Sequence, residues 1–318
     1  MYLVTGVAGF IGSSIARTLL DRGEAVRGVD NLSTGRRENL LGLEKMDFLE
    51  GDLREAEVCR RACDGIEIIF HEAAVASVPR SVKDPFASHD SNVSGTVRLL
   101  IAARDARVKR LVYAGSSSAY GNTPTLPKHE QMVANPISPY AASKLAAEYY
   151  LSSFYQVYGL ESVTLRYFNV FGPHQDPNSV YSAVLAKFIQ TMLEEKQPTI
   201  YGDGEQSRDF TFITNVVHGN LLAATASAEK VAGRVFNVAT GKRQTLNETY
   251  RILQRLTGYR GAANYEAERE GDVKHSLAEI SAARAAFGYE PQVDFEAGLT
   301  KTVEWYRSAA TQAAVQRR

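Results

Sequence analysis

The sequence has few cysteines and no excess of either charge, and each of these absences argues against a class of protein. The 318 residues include two cysteines and one tryptophan, and 36 Lys plus Arg residues are balanced by 36 Asp plus Glu residues. Cys59 and Cys63 are too few for a disulfide scaffold, so we expect a reducing, cytoplasmic location. A formal net charge of zero does not favour a nucleic-acid-binding or polybasic membrane-binding protein.

Long apolar runs and a basic leader are also missing. No uninterrupted apolar stretch reaches the roughly 20 residues that cross a bilayer. The strand pattern Tyr2–Val4 starts at once, so we expect neither a membrane span nor a signal peptide. The histidines are scattered, without a partner at metal-ligand spacing, so we predict no metal site.

Short apolar runs alternate with amphipathic stretches through the first half of the chain. We expect strands at Tyr2–Val4, Ala25–Val29, Met46–Leu49, Glu67–His71, Leu111–Ala114 and Val163–Tyr167, and helices at Phe10–Asp21, Glu55–Cys63, Asn92–Ala106 and Tyr140–Tyr158. Parallel neighbours need long crossovers, and here the crossovers are helices. The pattern therefore predicts an α/β fold with a doubly wound parallel sheet.

After about Gly172 the chain becomes turn-rich and mostly helical. We expect strands at Thr199–Tyr201 and Arg234–Val238, and helices at Val180–Glu195, Asn215–Ala226, Leu246–Thr257, Leu277–Phe287 and Phe295–Arg307. We therefore expect a main domain, residues 1–172, to which residues 206–240 return. A smaller helical lobe is expected to comprise residues 173–205 and 241–318.

A glycine-rich loop joins the first strand to the first helix. Gly6, Gly9 and Gly12 form G-x-x-G-x-x-G in the strand–turn–helix setting that binds a dinucleotide pyrophosphate. Asp30 ends the second strand, where a carboxylate binds a ribose diol and repels a 2′-phosphate. The loop therefore predicts NAD rather than NADP, with a further adenine contact at Asp52 and Leu53 of Gly-Asp-Leu.

A tyrosine and a lysine open the helix near residue 140. Tyr140 and Lys144 lie four residues apart, which places both side chains on one helix face. A nearby ammonium and a positive nicotinamide ring would lower the tyrosine pKa from about 10 and make it an acid/base group. Ser116, Ser117 and Ser118 follow the fifth strand at the edge of the sheet where ligands bind.

Two loop arginines of the second half suit phosphate groups. Arg208 stands in the segment GDGEQSRDF and Arg269 in REGD. Guanidinium groups bind phosphates through paired hydrogen bonds, so both arginines indicate a nucleotide-linked substrate.

Together these motifs resemble the extended short-chain dehydrogenase/reductase family, and within it the nucleotide-sugar 4-epimerases. The matching pieces run from Tyr2 to about Trp305 and include TGVAGFIGS, VDNLSTG, HEAA, SSSAYG, YAASK, LRYFNVFGP, YGDGEQSRDF and REGDVKHS. The resemblance implies a Rossmann-type NAD-binding domain, a UDP-sugar-binding lobe and C4 epimerisation through a transient 4-keto sugar. It also implies a cytoplasmic homodimer, paired through a four-helix bundle, with a role in polysaccharide synthesis.

The resemblance also assigns residue roles. Tyr140 would be the acid/base, Lys144 would hold the nicotinamide ribose and Ser116 the sugar O4. The cofactor contacts that it implies, besides the glycines, Asp30 and the catalytic pair, are Phe10, Ile11, Asn31, Ser33, Thr34, Gly35, Asp52, Leu53, Ala73, Ala74, Ala76, Asn92 and Tyr167. The substrate contacts, besides Ser116 and Tyr140, are Arg80, Ser117, Ser118, Phe168, Asn169, Val184, Lys187, Tyr201, Arg208, Arg269, Asp272 and Ser276.

Two positions bear on the substrate. Many hexose epimerases carry a lysine after the fourth strand, where this chain has Ala76. Ser276 stands where hexose-restricted relatives have a tyrosine beside the sugar C2 substituent. Both differences resemble the bacterial UDP-N-acetylglucosamine 4-epimerases, so we expect UDP-N-acetylglucosamine and UDP-N-acetylgalactosamine as substrates, with UDP-glucose and UDP-galactose also accepted.

Three alternatives remain at this stage. A UDP-glucuronate 4-epimerase or decarboxylase could use Arg80 to bind the sugar carboxylate. A 4,6-dehydratase would need Asp and Glu where Ser117 and Ser118 stand. A non-catalytic NAD-binding protein would be expected to lack Tyr140, Lys144 or Ser116.

Overall fold

A computed structural model of the protein describes residues 1–176, 184–268 and 274–316. A seven-stranded parallel sheet forms its centre, in the order β11-β6-β5-β4-β1-β2-β3. The strands are β1 (Tyr2–Thr5), β2 (Val26–Asp30), β3 (Asp47–Glu50), β4 (Ile68–His71), β5 (Arg110–Ser116), β6 (Glu161–Tyr167) and β11 (Arg234–Val238). The predicted doubly wound α/β fold is confirmed.

Alternating side chains bury both faces of the sheet. Leu3 and Ile69 belong to one apolar cluster, while their chain neighbours Val4 and Phe70 belong to another on the opposite face. Since both faces are apolar, helices must cover both of them. The helices of the main domain are α1 (Phe10–Asp21), α2 (Ala56–Cys63), α3 (Val78–Lys83), α4 (Pro85–His89), α5 (Gly95–Asp105), α6 (Pro139–Tyr158), α8 (Ile213–Thr225) and α9 (Ala228–Val231).

The order in which the chain adds strands to the sheet reverses between β1 and β4. β1 pairs with β2 on one side and with β4 on the other, so the following connections leave in opposite directions. A crevice opens at the carboxyl ends of the strands at such a point. The glycine loop after β1 lies at this crevice.

The second half adds short strand pairs and the remaining helices. β7 (Val170–Phe171) pairs with β10 (Thr211–Phe212), β9 (Ser207–Arg208) with β12 (Gln244–Thr245), and β8 (Thr199–Tyr201) with β13 (Asn264–Glu266). The helices are α7 (Val184–Leu193), α10 (Leu246–Thr257), α11 (Ser281–Phe287) and α12 (Phe295–Gln316). β11 joins the main sheet beside β6. The division into domains stays a prediction.

Several helix boundaries differ from those predicted, and α12 continues to Gln316 where an end at Arg307 was predicted. The helix predicted from Leu277 begins at Ser281, because the backbone groups of Leu277 and Glu279 pair with Lys128 instead. The helix predicted from Asn92 begins as a π-helical turn, Asp90–Ser94, before α5. Within the described ranges, no helix is both long and apolar enough to span a bilayer.

Candidate active site

The glycine loop is shaped by contacts that leave no room for side chains. Gly6 has a φ of +64°, and a Cβ there would lie 2.7 Å from the backbone nitrogen of Ala73. A Cβ on Gly12 would lie 2.3 Å from the carbonyl oxygen of Gly6. No side chain caps the α1 N-terminus at Gly9, and its first turn carries no acidic residue. The free N–H groups and the close turn fit a pyrophosphate.

Asp30 is held in place by two backbone donors. Its Oδ2 accepts from the Ala8 N–H at 2.9 Å, and its Oδ1 accepts from the Leu32 N–H at 2.8 Å. Burial raises the pKa of Asp30, and these two hydrogen bonds lower it in part. The carboxylate is thus positioned for a ribose diol.

The predicted adenosine contacts surround Asp30. The cavity there is lined by Gly6, Gly9, Asp30, Asn31, Ser33, Thr34, Gly35, Asp52, Leu53, Ala73 and Ala74, among others. Arg36 and Arg37, which stand near Asp30 in the sequence, pair with Asp176 at 3.2 Å and Glu50 at 2.6 Å. Both guanidinium groups are thus paired with carboxylates other than Asp30.

A larger cleft of about 580 Å³ continues from the same glycine loop to the start of α6. The sequence-predicted residues that line it are Gly6, Gly9, Phe10, Ile11, Gly12, Ser33, Thr34, Ala74, Ala76, Arg80, Tyr140, Lys144 and Tyr167. The structure therefore brings the glycine loop and the Tyr140–Lys144 pair to one cleft.

The start of α6 sets the position of Tyr140. Ser138 caps the helix by accepting the Ala141 N–H at 3.2 Å, and Pro139 occupies the first turn. Tyr140 lies close enough to Ser116, at the end of β5, for the serine side chain to lower its pKa. The Ser116 hydroxyl accepts the Ser118 hydroxyl at 2.8 Å and the Ser118 N–H at 3.2 Å. The Tyr140 phenol and these serine hydroxyls therefore lie close together.

The pKa of Tyr140 shifts in the direction opposite to that predicted from the sequence. Burial raises this pKa, and the Ser116 side chain offsets the rise only in part. Burial lowers the pKa of Lys144 to about 8, opposed by the carboxylates of Glu72 and Glu148. The lowered tyrosine pKa predicted from the sequence is therefore not produced by the protein groups alone, because desolvation dominates.

Other predicted residues lie behind the cleft wall. The Asn92 side chain accepts the Val75 N–H at 2.8 Å and donates to the Ser143 hydroxyl at 3.0 Å. It thereby ties the loop after β4 to α6. The Phe168 side chain is fully buried in a small apolar cluster with Tyr120, so a substrate contact there would use its backbone. Cofactor and substrate roles for these two residues stay predictions.

Asn169 and Ser276 contact each other, and neither of them lines the two cavities described above. Asn169, in the left-handed region at a φ of +35°, donates to the Ser276 hydroxyl at 3.1 Å and to the Asp209 carbonyl at 3.3 Å. Arg208 lies on β9, where its guanidinium donates to the Lys274 carbonyl at 3.0 Å. Tyr201 ends β8, and Val184 and Lys187 lie on the first turns of α7. Arg269 and Asp272 fall outside the described residues.

Sequence reasoning missed a buried carboxylate that organises this region. Asp209 accepts hydrogen bonds from the Thr240 N–H and hydroxyl, the Gly241 N–H and the Ala278 N–H, at 2.9, 2.6, 3.0 and 3.2 Å. The available signal was its place next to Arg208. Two further buried carboxyls that the motifs did not reveal are Glu72 and Glu148. Among the described residues, no cluster of His, Cys, Asp and Glu is arranged to hold a metal ion.

Known proteins were compared with the chain. A family model described as NAD dependent epimerase/dehydratase matches residues 2–239. A UDP-glucose 4-epimerase of Mycolicibacterium smegmatis is 39% identical, over 96% of this chain and 98% of its own. A UDP-glucuronate 4-epimerase of Thermodesulfobacterium geofontis is 37% identical, over 96% and 95%.

A solved structure agrees in fold as well as in sequence. The UDP-N-acetylglucosamine 4-epimerase from Methanobrevibacter ruminantium, in complex with UDP-N-acetylmuramic acid, superposes with a TM-score of 0.91 and 42% identity, over 97% of this chain and 98% of that one. The predicted enzyme family and NAD as its cofactor are confirmed. The protein belongs to the NAD dependent epimerase/dehydratase family.

Proposed function

We propose that the protein epimerises C4 of a UDP-sugar, with UDP-N-acetylglucosamine and UDP-N-acetylgalactosamine as its substrates. The observation that carries the proposal is that Tyr140 and Lys144 line the same cleft as the glycine loop, with Ser116 near enough to Tyr140 to lower its pKa. Proton transfer at a sugar hydroxyl and hydride transfer at the adjacent carbon need these two features side by side.

Each residue has a defined task in this reaction. The Ser116 hydroxyl holds the sugar O4, and Tyr140 removes the proton from it. Lys144 holds the nicotinamide ribose, and its ammonium favours the phenolate of Tyr140. NAD supplies the hydride acceptor and later the hydride donor, so the positive ring adds to that effect when it is bound. Tyr140 returns the proton once the 4-keto sugar has presented its other face.

The nucleotide end would be held by the smaller lobe. Arg208 and Arg269 suit the diphosphate, and Tyr201 the uracil, with Val184, Lys187 and Asp272 as further wall residues. Arg208 is tied to the backbone of Lys274, on the segment that leads to Ser276. A diphosphate bound at Arg208 would thereby fix the position of the Ser276 segment relative to the sugar.

The choice of sugar rests on the wall formed by Asn169 and Ser276. A serine there leaves space that a tyrosine would fill, and its hydroxyl can bond to an amide group. An open wall discriminates weakly against a smaller substrate, by about 1–3 kcal/mol for a missing group. UDP-glucose and UDP-galactose are therefore expected as slower substrates. A use in polysaccharide synthesis is consistent with these sugars.

A product analysis tests the proposal. The enzyme is incubated separately with UDP-N-acetylglucosamine, UDP-glucose and UDP-glucuronate, and each mixture is resolved for the C4 epimer while reduced cofactor is followed by its absorbance. We expect the C4 epimer of the N-acetylated sugar to form fastest, with no net NADH. Failure on every N-acetylated substrate contradicts the choice of sugar, and NADH in proportion to product contradicts epimerisation.

A UDP-glucuronate epimerase is the second candidate. Arg80 lines the large cleft beside Tyr140, and the relative from Thermodesulfobacterium geofontis acts, by its name, on UDP-glucuronate. A guanidinium there could bind the sugar carboxylate. The same product analysis distinguishes the candidates, and carbon dioxide release would identify a decarboxylase. Ser117 and Ser118 offer no carboxylic acid for dehydration.

We also infer a homodimer. On α5 and α6, Leu100, Leu145 and Phe154 are buried within one chain. Other side chains of the same two helices remain exposed: Ile101, Tyr149, Tyr150, Val157 and Tyr158. A four-helix bundle made by α5 and α6 with a second copy would cover this apolar face. A monomeric mass by light scattering at micromolar concentration would contradict the inference.

The unpaired, buried cysteines are consistent with a cytoplasmic enzyme.

A further inference from the structure

Glu72 is a carboxyl group in the cleft wall that the proposed proton transfer does not use. It follows β4 directly and lines the large cleft together with Gly6, Lys144 and Tyr167. Its Oε1 accepts the Tyr167 hydroxyl at 3.0 Å, and that hydroxyl accepts the Asn220 amide at 2.8 Å. Its Oε2 is buried without a hydrogen-bond partner among the described residues. The carboxyl therefore has less support for a negative charge than Asp30 has.

The groups that face Glu72 favour neither its charged nor its neutral form strongly. Lys144 of α6 is the cation nearby, while Tyr167 of β6 and Tyr113 of β5 are neutral. His71, the preceding residue, is neutral as well, because burial lowers its pKa to about 3. Burial raises the pKa of Glu72 to about 7, opposed by Tyr167 and Lys144. A modest change in nearby charge is therefore enough to change its protonation.

The cofactor provides such a change. The nicotinamide ring of NAD⁺ is positively charged, and addition of a hydride, one proton with two electrons, makes it neutral. The inference rests on the proposed function: if Lys144 holds the nicotinamide ribose, the reacting end of the cofactor would lie in the cleft that Glu72, Tyr140 and Lys144 line together. An ionised carboxylate in that wall stabilises the oxidised ring more than the reduced ring.

We propose that Glu72 is a positioning residue that sets the reduction potential of the bound nicotinamide. Its carboxylate favours NAD⁺, and it takes up one proton from solvent when the ring accepts hydride and loses its charge. The reduced cofactor is then less stable than it would be beside a neutral residue, so hydride returns readily to the 4-keto sugar. This suits a reaction without net oxidation.

The potential of the bound cofactor is the decisive measurement. The holoenzyme and its Glu72→Gln variant are titrated spectroelectrochemically with mediator dyes, and the near-ultraviolet absorbance of the reduced ring gives the midpoint. We expect Glu72→Gln to favour NADH about tenfold more than the wild type, which raises the midpoint by about 30 mV for a two-electron couple. Glu67→Gln is the control, because Glu67 precedes the other end of β4 and is exposed.

The pH dependence of the midpoint potential gives a second readout. Reduction of free NAD⁺ takes up one proton, whereas reduction of the bound cofactor takes up a second one at Glu72 near neutral pH. The midpoint of the wild-type holoenzyme should therefore fall with pH up to twice as steeply as that of free NAD, and that of Glu72→Gln should follow the free slope. Equal midpoints for wild type and Glu72→Gln, or a wild-type slope equal to that of free NAD, overturns the proposal.

Discussion

Glu148 and Arg166 form a bidentate ion pair inside the protein, one helical turn beyond Lys144. The guanidinium donates to the two carboxylate oxygens at 3.2, 3.2 and 2.8 Å, and only 3% of the Glu148 side chain and 6% of the Arg166 side chain are exposed. The guanidinium also lies 4.6 Å from the ring centre of Tyr120. The pair therefore joins β6 to α6, the helix that carries Tyr140 and Lys144.

Glu148→Gln should destabilise the fold by about 3–5 kcal/mol, because it leaves a buried guanidinium without its counter-charge. Urea unfolding at neutral pH measures the loss. Glu50→Gln is the matched control, since it breaks the exposed Arg37–Glu50 pair of 2.6 Å and should change little. Equal, small losses for both variants would show that the buried pair does not stabilise the fold.

Tyr140→Phe should lower turnover by about 100- to 10,000-fold, because only the proton-transfer oxygen is removed. Cofactor content, measured after heat denaturation, should stay close to that of the wild type. Tyr149→Phe is the control on the same helix, where the side chain is 66% exposed. Retention of more than about half of the turnover would exclude Tyr140 as the acid/base.

Acid should destabilise the protein through His71. The Thr96 hydroxyl donates to the Asn92 carbonyl, so it accepts from His71 Nε2 at 2.9 Å, while Nδ1 accepts the Thr5 hydroxyl at 2.7 Å. Because the folded pKa of about 3 lies below the unfolded value of 6.5, only the unfolded chain gains a proton between these values. Stability is therefore present above pH 6.5 and is lost as the pH falls towards 3.

The loss attributable to His71 at pH 5 should be about 2 kcal/mol. Urea unfolding of wild type and His71→Asn at pH 7.5, 6 and 5 isolates it as a difference in slope, since the variant lacks the titrating group. His89→Asn, at an exposed position, should keep the wild-type slope. A slope for His71→Asn as steep as that of the wild type contradicts the assignment.

Ser276→Tyr should reduce activity on the N-acetylated sugars far more than on UDP-glucose or UDP-galactose. A tyrosine fills the space beside the C2 substituent, and steric overlap in a packed site costs about 1–3 kcal/mol or more. Ser276→Ala, which removes only the hydroxyl, should change the preference little. kcat/KM on both sugar classes measures the effect, and equal losses would show that Ser276 does not line the C2 side.

NAD should co-purify with the protein. It should dissociate faster from the Asp176→Asn variant than from the wild type. Asp176 pairs with Arg36 across the cleft at 3.2 Å, and Tyr306 donates to the neighbouring Gln175 carbonyl. Asp176→Asn removes the ion pair while keeping the size of the side chain. Cofactor remaining after dialysis is the measurement, with Glu38→Gln as the control on Arg36. Wild-type protein purified without dinucleotide would contradict retention.

The local patterns predicted what lies close together in sequence. Gly6 to Gly12, Asp30 and the Ser138-capped start of α6 each combine a motif with its own strand or helix, so a short window contains the whole signal. Continuous apolar runs, such as the one that contains Leu3 and Val4, were likewise enough to predict the strands, and these two side chains lie on opposite faces of the sheet.

The contacts that the sequence did not reveal join distant segments. Asn169 and Ser276 are 107 residues apart in the chain, and nothing local signals that they bond. Glu148 stood four residues after Lys144, but its buried partner on β6 emerges only from the fold. The start of α11 at Ser281 was missed for the same reason, since Lys128 is the residue that pairs with the preceding backbone.

The place of β11 has a consequence for synthesis of the protein. Arg234–Val238 pairs with Val163–Tyr167 at the outer edge of the sheet, so a nascent chain that has emerged only as far as β6 exposes an unpaired strand. Exposed strand edges are templates for aggregation. The newly made polypeptide therefore exposes the outer edge of β6 until β11 emerges, and a chaperone would protect that edge during this interval.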